Sequence, residues 1–423
     1  TRPSICPPDQ AREVALARLD LLAERAGRYG IALAVEFIAV PDPGADLDGA
    51  HPFIAGPTAL GALLDDLGRP ADQVGVLLDV CHLYAAGTTV AGQRSLHGRI
   101  AFVQACDIPP GTPSQAMSDA LRCLPGTGIV DYPQLLVDLA DRRLPTLTEK
   151  PLAYTRADAA RITQAFAATT TPLQVGYMKR HYPAVSRLQE VISTHAVSAL
   201  TIDLVHPPED TYLIPVIGHG RAVTGDLASF LDGEAARPEI GQTLAELDVP
   251  ETDTATRRGY VLLATSVIHD LNLMRALLGA PARVAFAHFW NGGLSGQAIL
   301  EQGPERTARL TYTYVATGGY TETVNLTAPD GRWTLHLPSP YLSHAPAALT
   351  TVRDTTTGLP ITTNDPVSLD APFHRQLQAF HHAVTIGDRP IIDGNDTTAD
   401  LDLAEQIVTV AARHDTDVAA VRW

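Results

Sequence analysis

Residues 144–153 read Leu-Pro-Thr-Leu-Thr-Glu-Lys-Pro-Leu-Ala, a short apolar run that closes on Glu149 and passes straight into Lys150-Pro151. The run predicts a strand over Leu144 to Thr148. Lys150 is one of only two lysines in the chain, the rest of the basic load being arginine. An ammonium on a flexible stem can shift its pKa and pass a proton, whereas a guanidinium stays charged at any working pH. Lys150 is therefore a candidate proton-transfer group, and the plainer alternative is a solvated lysine at a strand end.

Upstream, helix-like and strand-like segments alternate. Val14, Ala17, Leu21, Leu22 and Ala26 recur at helical spacing up to Gly30, and Ile31 to Val35 is a short strand ending in Glu36. A helix over Thr58 to Leu67 leads to a strand Val74 to Leu78 that ends on Asp79. Ile100 to Val103 ends on Gln104, and a helix over Tyr132 to Leu139 leads back to the run that ends on Glu149. Apolar strands separated by helices predict a parallel sheet buried on both faces. In such folds the strand ends gather on one rim, so Glu36, Asp79, Gln104 and Glu149 form a candidate hard-oxygen site for Mg, Mn or a similar divalent ion. Helix capping is the competing reason for an acidic residue after a strand.

Composition narrows the partners. The chain has 423 residues, 45% hydrophobic, with 47 acidic against 31 basic residues and a net charge of -16. That excess, with no basic run, argues against a nucleic-acid backbone or an anionic membrane and favours small molecules. No apolar stretch approaches about 18 residues. Cys6, Cys81, Cys106 and Cys123 lack zinc-type spacing and read as reduced cytoplasmic thiols.

Val35-Glu36, Leu78-Asp79-Val80-Cys81-His82-Leu83-Tyr84, Phe102-Val103-Gln104-Ala105-Cys106-Asp107 and Leu124-Pro125-Gly126-Thr127-Gly128-Ile129-Val130-Asp131-Tyr132 together resemble the second half of a xylose-isomerase-like TIM barrel. That family includes sugar isomerases, epimerases and dehydratases that bind one divalent metal through strand-end residues. The resemblance implies Glu36, Asp79 and Gln104 as metal ligands, with Gln104 in the manner of 3-dehydroshikimate dehydratases, and His82 near the substrate. It enters such a barrel at its middle, so about four opening strands have no counterpart here.

From Glu149 onward a second resemblance takes over. Glu149-Lys150-Pro151-Leu152-Ala153, Gln174-Val175-Gly176-Tyr177-Met178-Lys179-Arg180-His181-Tyr182-Pro183-Ala184 and Val267-Ile268-His269-Asp270-Leu271-Asn272-Leu273 occur in the order found in the glucose-fructose oxidoreductase and inositol dehydrogenase family. The resemblance implies NAD or NADP as cofactor, Lys150 and His269 as the proton-transfer pair, and Tyr177, Arg180 and Asp270 as substrate contacts. Many members carry an aspartate four residues before the histidine, where this chain has Thr265. Nor is there a Gly-x-Gly-x-x-Gly turn between a strand and a helix. Gly126-Thr127-Gly128 lacks the third glycine and Gly218-His219-Gly220 has the wrong spacing to Gly225. This chain as it stands is therefore expected to hold the nucleotide weakly or not at all.

Thr307 to Val315, Tyr320 to Leu326 and Arg332 to Leu337 alternate in period two and predict an open antiparallel sheet, a candidate surface for homo-oligomer contact. Gly233 to Thr256 reads as a long acidic loop or lid. His195, His206, His219, His288, His344, His381 and His382 show no ligand spacing, and Trp290, Trp333 and Trp423 read as packing residues.

The expected architecture is α/β followed by α+β: a partial TIM-barrel-like segment over 1–148 and a dehydrogenase-type substrate domain over 149–423. The expected function is a cytoplasmic sugar or cyclitol oxidoreductase that oxidises a secondary hydroxyl with NAD(P), fused to a metal-dependent isomerase- or dehydratase-like segment. Its substrate is a small sugar, cyclitol or keto acid. The alternatives are a metal-dependent keto-sugar isomerase, epimerase or dehydratase, and a non-catalytic binding or oligomerising protein.

Overall fold

The computed structural model describes residues 6–39, 53–93, 96, 98–123, 125–207, 226–315, 319–342, 345–354 and 358–420. Gly218 to Gly220, Gly225, His344 and Trp423 lie outside them. The chain divides into two compact units, Thr1–Leu144 and Pro145–Trp423.

In the first unit β1 (Leu33–Glu36), β2 (Val74–Asp79) and β3 (Ile100–Gln104) form a parallel sheet in that order. Helix Pro57–Leu67 starts on a proline, stops at Gly68 in the left-handed region, and buries Leu60, Leu63 and Leu64 against Val74, Val76 and Leu78. Helix Pro8–Gly27 forms, but its core stripe is not the one expected. Ala15, Leu16, Leu19 and Ala23 pack inward, while Val14, Leu21 and Leu22 are exposed. Both stripes are apolar at helical spacing, so periodicity alone cannot choose between them. The sheet is also not buried on both faces. Only β2 is covered along most of its length, and Phe102 on the edge strand β3 is 57% exposed.

The fourth strand does not extend this sheet. β4 (Thr146–Glu149) belongs to the second unit and pairs in parallel with β5 (Leu173–Gly176), across the helix Arg156–Thr169. That helix begins at Thr155, whose hydroxyl accepts from the Asp158 backbone N–H.

The rest of the second unit is built on an eight-stranded sheet in the order β13-β12-β11-β10-β6-β9-β8-β7. In chain order these are β6 (Ala199–His206), β7 (Arg283–Trp290), β8 (Ser295–Glu301), β9 (Thr307–Tyr314), β10 (Thr321–Ala328), β11 (Gly331–Leu337), β12 (Ala347–Arg353) and β13 (Ile361–Ser368). Every pair is antiparallel except β6 with β9. The period-two reading of β9, β10 and, from Arg332 onward, β11 appears as alternation of buried with half-buried or exposed residues. Helix Ile268–Leu278 touches β6, and helix Pro183–Thr194 touches β12 and β13.

The stretch read as an acidic lid is helical instead, in segments Leu227–Ala235, Pro238–Glu246 and Thr254–Thr265. Each is short and begins on its own local signal: Asp226 and Asp253 accept backbone N–H groups, and Pro238 opens its helix. Helices this short leave little periodicity for a sequence window to detect. Among the described residues no single helix is long and apolar enough to cross a membrane.

Leu326 lies fully buried on the central strand β10. Leu326→Ala should destabilise the second unit by about 2–5 kcal/mol, read as a lower urea midpoint. An unchanged midpoint would contradict the burial described.

Candidate active site

Lys150 follows β4 directly, and its Nζ donates to the Thr265 carbonyl at 2.5 Å. Thr265 closes helix Thr254–Thr265, where carbonyls lack intrahelical partners and carry the negative end of the helix dipole. The helix end therefore fixes the ammonium, and the backbone here receives the charge that a carboxylate at position 265 would otherwise meet. The Thr265 hydroxyl is turned away, donating to the Val261 carbonyl at 2.6 Å.

His269 sits in the first turn of helix Ile268–Leu278 and is 6% exposed. Its ring meets Tyr177 edge-on, centroids 5.7 Å apart. Burial, then the charges of Lys150 and Lys179, hold the imidazole well below the usual histidine range. It is thus neutral at neutral pH, and its buried Nδ1 has no hydrogen-bond partner among the described residues. A neutral imidazole with an unpartnered nitrogen beside an ammonium is equipped to take a proton from a hydroxyl group.

Asp270, next in the chain to His269, belongs to a buried ion cluster whose other two members the motifs did not single out. Lys179, in the 3-10 turn Met178–His181, places Nζ 2.9 Å from Asp270 Oδ1 and 2.8 Å from Glu322 Oε2, and all three residues are buried. Burial alone would lower the ammonium, but the two carboxylates more than reverse it and raise Lys179 above the usual lysine range. Two carboxylates facing one cation out of water cannot both stay ionised cheaply. Burial, opposed by Lys179 and reinforced by Glu322, pushes Asp270 up to about 8. Tyr320 donates its hydroxyl to Glu322 Oε2.

The ends of the three adjacent strands β10, β6 and β9 complete the cluster. His206 stacks on Tyr314 at 4.8 Å and meets Tyr320 edge-on at 5.5 Å, and burial takes its imidazole down to about 4. The Tyr314 hydroxyl donates to Ser266 Oγ at 2.5 Å. His206, read from sequence as an ordinary histidine, thus belongs to the candidate site along with Tyr314, Tyr320, Glu322 and Lys179. No sequence signal could have found this, since the register that sets His206 opposite Tyr314 joins strands about a hundred residues apart.

Three residues expected to contact substrate are engaged elsewhere. Asp270 is held by Lys179. Arg180 donates to Asn272 Oδ1 at 3.0 Å, and Asn272 in turn donates to Asp400 at 2.7 Å. Tyr177 donates to Thr397 Oγ1 at 3.3 Å. The contacts through Asn272 and Tyr177 anchor helix Gly394–Ala420 to the site rather than leaving groups open to a ligand.

The expected metal set is not assembled as read. Glu36, Asp79 and Gln104 do end β1, β2 and β3, and Asp79 pairs with Gln104 across the register, but Glu149 belongs to the second unit and Gln104 is exposed. Glu36, Asp79 and His82 do offer ligand atoms within 4.8 Å of one another. His82 Nε2 lies 3.7 Å from Glu36 Oε1, and burial lowers the imidazole. Asp79, however, caps helix Val80–Ala85 through Oδ1, which accepts from Cys81 N at 2.7 Å, and its Oδ2 meets Arg122 Nη1 at 2.7 Å. Neither Asp79 oxygen is open to an ion, so the group does not fit a divalent ion through Asp79.

The nucleotide expectation meets a similar test. Gly126-Thr127-Gly128 follows no strand directly; a Cβ on Gly128 would lie 2.2 Å from the Ile108 carbonyl and 2.4 Å from Asp107 Oδ1. That glycine allows the turn to pack on Asp107, whose Oδ1 accepts from Ile108 N and Val130 N. That turn is therefore no phosphate cradle.

A family model described as xylose isomerase-like TIM barrel matches residues 2–148. No curated protein matches the chain. Among solved structures, UDP-N-acetylglucosamine 3-dehydrogenase from Acidithiobacillus ferrooxidans is 14% identical over 80% of this chain and 97% of its own, with a TM-score of 0.49. A protein assigned as a myo-inositol dehydrogenase from Sinorhizobium meliloti is 16% identical over 80% and 97%, TM-score 0.47. One assigned as an NADPH-dependent oxidoreductase from Desulfitobacterium hafniense is 15% identical over 67% and 75%, TM-score 0.49. At such identities and scores the likeness concerns chain path alone.

Asp270 titrates higher in the folded chain than in the unfolded one. The folded chain keeps a proton that the unfolded chain releases near 3.8, so this carboxyl stabilises the fold fully below that pH and the contribution is lost as pH rises to about 8. Asp270→Asn should therefore lose less stability than wild type between pH 5 and 8, measured by urea midpoints. Parallel profiles would show that Asp270 ionises normally.

Proposed function

We propose that the second unit handles the hydroxyl of a sugar or cyclitol in an oxidoreductase, with Lys150 and His269 as its proton-transfer pair. The observation that carries this is the Lys150 ammonium fixed on the Thr265 carbonyl beside a neutral, buried His269 whose Nδ1 is unpartnered. His269 accepts the proton of a secondary alcohol, and Lys150 steadies the oxygen as negative charge develops. His206, Tyr314 and Tyr320 supply the polar aromatic wall that orients neighbouring hydroxyls. The motif resemblance implies NAD or NADP, whose nicotinamide accepts a hydride when bound; no residue is assigned to hold it.

The match over residues 2–148 supports a second reading, a metal-dependent isomerase or dehydratase in the first unit. The engagement of Asp79 by Arg122 weighs against it. A homo-oligomer through the eight-stranded sheet and a cytoplasmic setting, in keeping with thiols that form no disulfide, complete the reading.

Lys150→Met and His269→Ala should each lower turnover roughly 100- to 10,000-fold on a panel of sugars and cyclitols at millimolar NAD or NADP, with the fold intact by circular dichroism. Wild-type rates in both variants would sink the assignment, and a wild-type chain inert on every substrate would favour a non-catalytic role. Because His269 is held neutral, the acid limb of the rate profile should fall below the ordinary histidine range. Calorimetric titration of the 423-residue chain with NAD and with NADP should show no saturable binding in the micromolar range; a micromolar site would mean that this sequence builds a nucleotide cradle without glycines.

A further inference from the structure

We infer that Arg122 is the resident cation of the first unit's strand-end cluster and that this unit takes no divalent ion there. Three overlapping groups of side chains have the spacing of a metal site: Glu36, Asp79 and His82; Asp79, Cys81 and Cys106; Cys81, His82 and Asp119. The Arg122 guanidinium touches a member of every one. Its Nη1 lies 2.7 Å from Asp79 Oδ2 and 3.4 Å from Cys106 Sγ, and its Nη2 and Nε lie 2.8 Å and 3.0 Å from Asp119 Oδ1.

The competition is direct. An ion on Asp79 Oδ2 would sit at roughly 2.0–2.6 Å from that oxygen, crowding a guanidinium already bonded to the same atom. Two cations would then share one carboxylate that is 1% exposed, where water screens their repulsion poorly. Turning to Oδ1 offers no relief, since that atom caps helix Val80–Ala85. Nor does Arg122 hang on a free loop. The next residue, Cys123, is tied to Asp107 by two backbone hydrogen bonds of 3.0 Å, which present residue 122 to the strand ends of β2 and β3. A guanidinium neutralises the buried carboxylate but has no open coordination position, so it holds the strand ends without acting as a Lewis acid.

Calorimetry of the chelator-treated full chain with Mn, Mg and Zn chlorides tests this. Wild type should show no saturable heat tighter than about 100 μM, and its melting temperature should not move with Mn. Arg122→Ala, or Arg122→Gln if the alanine variant does not fold, should gain one Mn site visible as loss of the free-Mn EPR signal, and adding Asp79→Asn should remove it. One equivalent bound by wild type and lost in Asp79→Asn would overturn the inference. So would a folded Arg122 variant that still binds nothing, because something other than the guanidinium would then exclude the ion.

Discussion

The second unit depends on one buried ammonium. Lys179 joins the turn after β5 to helix Ile268–Leu278 through Asp270 and to the sheet through Glu322 on β10. Lys179 and its two carboxylate partners are all out of water, so the three elements that carry them are held in one arrangement rather than a family of similar ones. The candidate site is built on that arrangement. His269 precedes Asp270 in the same helix, and Tyr320 reaches Glu322, so His269 and the aromatic cluster inherit their positions from the ion cluster.

The same economy of charge explains the two lysines. Lys179 is surrounded by carboxylates and stays protonated, whereas Lys150 donates to a helix-end carbonyl and is half-buried. The first ties three elements together, and the second is held at a helix end. In the first unit arginine takes the structural part instead, closing Asp79 with a group that cannot deprotonate.

Strand ends organise both units, and in each the helix or turn that follows decides what the end residue does. Asp79 caps the next helix, Glu149 stays exposed, and Tyr314 reaches back to Ser266 at a helix end. An acidic or aromatic residue after a strand is thus a position of opportunity whose chemistry is set by its neighbours in space.

Much of this was legible in the chain itself. The period-two alternation of β9 to β11 follows from side chains pointing to opposite faces of a strand, and the helix-strand rhythm of the first unit follows from local capping and apolar spacing, so both could be read without a structure. The ordered motifs singled out Lys150 and His269 for the same reason: they are local. What only tertiary structure decided was pairing at a distance. Two apolar stripes on helix Pro8–Gly27 were equally good until a core chose one, the strand before Lys150 paired with β5 and not with β3, and Arg122 reached Asp79 and Lys179 reached Glu322 across long stretches of chain. A residue's type and spacing state what charge or surface it brings, but burial and the partner that meets it there are set by packing, and these determine whether a carboxylate caps a helix, holds an ion or keeps a proton.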